Sequence, residues 1–104
     1  MAKFLLLYGG GQVPEDDEER AGITKAWEDW FTELGAAVAD PGNPFTPEAK
    51  RVTNGGAIAD ATPTATGYSI VEADSIDQAA KLASGCPVLL GGGDVTVYET
   101  FDVM

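Results

Sequence analysis

The sequence predicts an α+β domain whose elements follow the order strand, helix, strand, strand, helix, strand, and three observations carry that prediction. An unbroken apolar run, Phe4 to Tyr8, stands at the start and ends at Gly9-Gly10-Gly11. Two segments have helical spacing or capping, one through Ile23, Trp27, Trp30, Phe31 and Leu34 and one opening at Ser75. Strand-like segments flank them, the clearest being Thr66 to Ala73 and Asp94 to Phe101.

Each element has a local cause. Phe4 to Tyr8 is apolar at every position, so it reads as a strand buried on both faces. Five consecutive carboxylates, Glu15 to Glu19, then suit the first turn of a helix, where the macrodipole is positive. The apolar spacing of three and four from Ile23 to Leu34 forms one helical face, and Gly35 is placed to end it. Gly22 weakens the middle of this stretch, which leaves the acidic turn free to form a separate piece. Ala36 to Ala39 is a strand end, and Asp40-Pro41-Gly42-Asn43-Pro44 is a turn that no helix can cross.

Residues 49–53 and 57–60 flank Asn54-Gly55, a two-residue hairpin signal between weak strands. Thr62-Pro63-Thr64 is a loop. In the strand from Thr66 to Ala73, Tyr68 and Ile70 fall on one face and Ser69 and Val71 on the other. Ser75-Ile76-Asp77-Gln78 is a capping-box pattern that opens a second helix to about Ser84, with Ile76, Ala79, Ala80 and Ala83 inward. Gly85-Cys86-Pro87 stops it, Gly91-Gly92-Gly93 is a loop, and the final strand alternates through Val95, Val97 and Tyr98. This is the ferredoxin-like arrangement, a four-stranded antiparallel sheet with two helices on one face. The first strand is apolar on its other face too, through Leu5 and Leu7, so a second copy of the chain is expected to cover it.

Composition narrows the function classes. At 104 residues there is room for one domain, read as spanning 1–104. The net charge of −11 disfavours nucleic acid and anionic membranes, which need clustered Lys and Arg. The lone Cys86 permits no disulfide within the chain, and no targeting or spanning segment is visible, so a cytoplasmic setting is expected. Histidine is absent, which removes the commonest general base near neutral pH and the commonest transition-metal ligand. No metal site and no cofactor are expected. Gly9-Gly10-Gly11 lacks the Lys and hydroxyl of a phosphate loop and is followed at once by carboxylates. Cys86 follows a helix C-terminus, where the dipole disfavours a thiolate, and reads as a small buried apolar residue.

Several stretches together resemble the YCII-related proteins: Lys3 to Tyr8, Trp27 through Gly35, Asp40-Pro41-Gly42-Asn43-Pro44, Thr66 to Asp74, and Gly91 to Tyr98. The resemblance covers nearly the whole chain. It implies a dimer of ferredoxin-like domains whose sheets face each other as an α+β barrel. In the best-described branch it further implies a histidine on the first helix paired with an aspartate after the second strand. Here the histidine's place falls near Thr24, and Asp40 stands in the aspartate's place. A related subgroup's Asp-Gly-Pro-Phe, expected near Thr53 to Gly56, is absent.

The candidate site is a ligand pocket between the first helix and the sheet, with Tyr8, Trp27, Trp30, Asp40 and Asn43 as its residues. Aromatic walls suit an apolar ligand, although Trp30 and Phe31 are adjacent and cannot point the same way. Asp40 is the candidate general base, against the simpler reading that it bonds the amides of its own Pro-Gly turn. The leading expectation is a homodimer that binds a small apolar or aromatic molecule. Two alternatives stand beside it: a cofactor-independent lyase or isomerase on a small cyclic compound, with Asp40 as base and Tyr8 assisting, and a protein-interaction module using the acidic start of the first helix.

Overall fold

The computed structural model describes residues 2–11, 15–62 and 64–103. Among these residues six strands and two helices follow one another as β1 (Ala2–Gly9), α1 (Asp17–Leu34), β2 (Val38–Asp40), β3 (Lys50–Val52), β4 (Ile58–Asp60), β5 (Ala65–Ala73), α2 (Ile76–Ala83) and β6 (Asp94–Glu99). Short 3₁₀ turns occupy Gly35–Ala37 and Pro87–Gly91. The main sheet has the order β2-β5-β1-β6 with every neighbour antiparallel, which is the ferredoxin-like topology. The hairpin signal at Asn54-Gly55 produces β3 and β4, a separate two-stranded sheet inserted between β2 and β5.

Pleating sorts β1 into two faces. Phe4, Leu6 and Tyr8 are buried, and in register they meet Val71, Ser69 and Gly67 of β5. This face carries the core, completed by Trp30 of α1, Ala79 and Ala83 of α2, and Cys86. On the other face Leu5 lies between Ile70 and Tyr98, and Leu7 between Tyr68 and Thr96. Leu5 and Leu7 are only half-buried there, and Tyr98 is 50% exposed.

The helices start as their first residues dictate. Asp16 caps α1, its Oδ1 accepting from the Glu19 N–H at 2.7 Å, and Glu19 reaches back to accept from the Glu15 N–H at 3.2 Å. Ser75 caps α2 through the Gln78 N–H at 3.1 Å, while Gln78 accepts from the Asp74 N–H at 2.6 Å. The strong cap also corrects the expectation of a break at Gly22. Helix α1 runs unbroken from Asp17 to Leu34, because capping and an acidic first turn offset the cost of one glycine. It ends at Gly35, φ 57°, whose N–H donates to the Phe31 carbonyl.

Helix α2 buries a narrower stripe than its sequence predicts. Ala79 and Ala83 are inward with Leu82 beside them, whereas Ile76 is 44% exposed and Ala80 faces solvent. Ile76 is the first helical residue, one turn short of the sheet contact made by Ala79 and Ala83. The final strand stops at Glu99, after which Phe101 is 83% exposed.

The chain alone is wide and thin, 45 × 38 × 18 Å, with a radius of gyration of 15.3 Å where about 13 Å is typical of this length. It exposes 7412 Å². A compact monomer of this mass exposes about 5,500 Å², so the excess is about 1,900 Å². Among the described residues no helix is long and apolar enough to cross a membrane.

Candidate functional site

The aromatic face of α1 lies against β1 as a connected set of rings. Tyr8 meets Trp27 edge-on at 5.1 Å, and Trp27 meets Trp30 at 5.7 Å and Phe31 at 5.9 Å. Beside this set is a cavity of about 810 Å³, within the about 300–1,000 Å³ range of small-molecule sites. Among the described residues it is bordered by α1 from Glu19 to Phe31, the end of β1, the turn Pro41 to Pro44, Thr66 and Gly67 of β5 beneath that turn, and the 3₁₀ turn with Val88 and Leu90.

Glycines allow the turn to lie directly on β5. Gly67 pairs with Tyr8, and Pro44 bridges to Gly67 on its far side. The Asn43 carbonyl accepts from the Tyr68 N–H at 3.3 Å, and the Thr66 carbonyl accepts from the Phe45 N–H at 2.9 Å. Gly42 has φ 69°, and a Cβ there would overlap the Tyr68 carbonyl oxygen.

Of the five residues read from the sequence, Tyr8, Trp27 and Asn43 line the cavity together. Trp30 does not. It is 4% exposed and turned into the core, where its Nε1–H donates to the Leu82 carbonyl at 3.2 Å. Asp40 is also off the lining. It is exposed, and its Oδ1 accepts from the Gly42 N–H at 2.8 Å, so it closes its own Asx turn. Thr24, where the resemblance places a histidine, does line the cavity, with Ile23 and Phe31 from the same helix.

One group behind the lining, Ser69, escaped the sequence reading. The Tyr8 hydroxyl donates to Ser69 Oγ at 2.8 Å, and Ser69 Oγ donates to the Pro41 carbonyl at 2.6 Å. This chain ties β1 through β5 to the turn that walls the cavity. Ser69 carries no signal of its own, because both partners are far away in sequence. Burial pushes the Tyr8 phenol well above its usual range, with the Ser69 bond pulling the other way. Cys86 is also buried, and desolvation pushes its thiol up to about 11 against opposing bonds from Val88 and Tyr8. Tyr8 and Cys86 are therefore both neutral at physiological pH. Among the described residues no cluster of three His, Cys, Asp or Glu is arranged to hold a metal ion.

No family model matches the sequence, and no curated protein matches it. The structure is similar to that of 5-chloro-2-hydroxyhydroquinone dehydrochlorinase from Burkholderia phenoliruptrix, solved in complex with 2,5-dihydroxybenzoquinone. The two share 18% sequence identity with a TM-score of 0.58, over 96% of this chain and 93% of the other. At that identity the likeness is one of fold.

Proposed function

We propose that this chain is a YCII-related protein that works as a homodimer and holds a small apolar or aromatic molecule in the cavity between α1 and the sheet. The observation that carries the reading is the cavity itself, with Tyr8, Trp27, Phe31 and Ile23 on its walls. Support comes from the neighbour in fold, which is an enzyme whose complex holds a small ring compound, 2,5-dihydroxybenzoquinone. The reading of Asp40 as a general base has less support, since its carboxylate stands off the cavity and is engaged in its own turn.

Trp27 reports on the site directly. A screen of small hydroxylated aromatics, quinones and lactones, read by tryptophan fluorescence and thermal shift, is expected to yield binders. Trp27→Ala should weaken any such binder by at least about tenfold through loss of the ring contact. Asp40→Asn should leave affinity within about twofold, because the side chain does not reach the cavity. A binder that depends on Asp40 and ignores Trp27 would favour the lyase or isomerase reading.

A further inference from the structure

The charges around the cavity are of one sign. The described residues that line it include two carboxylates, Glu19 and Glu28, and no lysine or arginine. All six basic side chains of the chain belong to described residues, so no other side chain of the same chain is left to supply a positive group. Three of them meet acids elsewhere: Arg20 with Asp17 at 3.8 Å, Lys25 with Asp29 at 3.1 Å, and Lys50 with Asp60. Lys3 lies near the start of β1, Arg51 on the hairpin and Lys81 in the last turn of α2.

The backbone offers an anion little more. A helix N-terminus is ordinarily a ready anion site, and Glu19 brings the first turn of α1 to the cavity's edge. That end is already supplied with negative charge by its own sequence. Asp16 takes the Glu19 N–H, Glu19 takes the Glu15 N–H, and Asp17 and Glu18 occupy the same turn. The walls act in the same direction. Tyr8, Trp27 and Phe31 present aromatic rings, whose faces attract cations and repel anions. A net charge of −11 spreads the same preference over the whole molecule.

We infer, resting on the binding reading above, that the cavity admits uncharged or cationic ring compounds and rejects carboxylates, sulfonates and phosphates. The test holds the ring constant and changes only the charge. The full chain is titrated at neutral pH and low salt with 4-hydroxybenzyl alcohol, 4-hydroxybenzylamine and 4-hydroxybenzoate, each followed by tryptophan fluorescence. The alcohol and the amine are expected to bind, and the benzoate at least about tenfold more weakly than either. The gap should narrow at about 0.5 M salt, where charges are screened within a few ångströms, and also in Glu28→Gln.

Benzoate binding as tightly as the alcohol would overturn this inference and leave the binding reading standing. A gap indifferent to both salt and Glu28→Gln would overturn it too, since shape rather than charge would then discriminate. If none of the three binds, the binding reading fails and this inference fails with it.

Discussion

Tyr8 joins the cavity to the core through one hydroxyl. Its ring lines the cavity, while its oxygen is bonded to Ser69 and through Ser69 to Pro41. Tyr8→Phe keeps the ring and removes the hydroxyl's bond to Ser69 together with its contact to Cys86, so chemical denaturation should show a loss of about 1 kcal/mol with the fold intact. Cys86 gives a pH prediction. Its folded value of about 11 lies above its ordinary 9.0, so the fold favours the protonated thiol. That contribution is complete below about pH 9 and is lost as pH rises through about 11. Tyr8 is shifted in the same direction and adds to the loss at higher pH still. Denaturation midpoints should therefore fall between pH 9 and 11, and fall less steeply in Cys86→Ala, where the group is gone. Sequence spacing located Tyr8 and Trp27 because they sit at the end of an apolar strand and on an apolar helical face. It could not separate Trp30 from Trp27, since both lie on that face and only the position of α2 decides which indole finds the Leu82 carbonyl.

Two glycines show how element-level context decides the sign of a substitution. Gly22 lies inside α1 with open space around it, and its backbone is helical. Gly22→Ala should raise stability by about 0.5–1 kcal/mol in a denaturant titration, because the helix no longer carries glycine's entropy cost. Gly42 is the opposite case, with a positive φ and the Tyr68 carbonyl against it. Gly42→Ala should cost upwards of about 2 kcal/mol and disturb the cavity wall, seen as a lower melting temperature and weaker ligand binding. The capping box at Ser75, the stop at Gly35 and the hairpin at Asn54-Gly55 were all legible in sequence, because each depends on residues within a few positions of one another. The inward face of α2 was less so. Which side of a short helix meets the sheet depends on how the crossover sets it down, and that placement is not local.

At the scale of the whole molecule, the chain is thin, and one face of its sheet is only half-buried by the chain itself. Leu5 and Leu7 run down its middle strand with Ile70, Tyr68 and Tyr98 on either side. A dimer across this face should sediment at twice the 10.8 kDa of one chain. Leu5→Glu, which puts a carboxylate at the centre of the apolar face, should shift that species to the monomer and lower its melting temperature. A wild-type monomer at micromolar concentration would count against the proposed homodimer.

The sequence by itself determined the class, the strand and helix order, the helix starts and stops, and the chemistry that is missing, since a chain without histidine lacks it in any fold. These properties are local or compositional. Only the tertiary structure decided that Trp30 belongs to the core, that Asp40 stands off the cavity, and that Ser69 links Tyr8 to Pro41. Each of those depends on how elements distant in sequence are set against one another, and that is not written in any single segment.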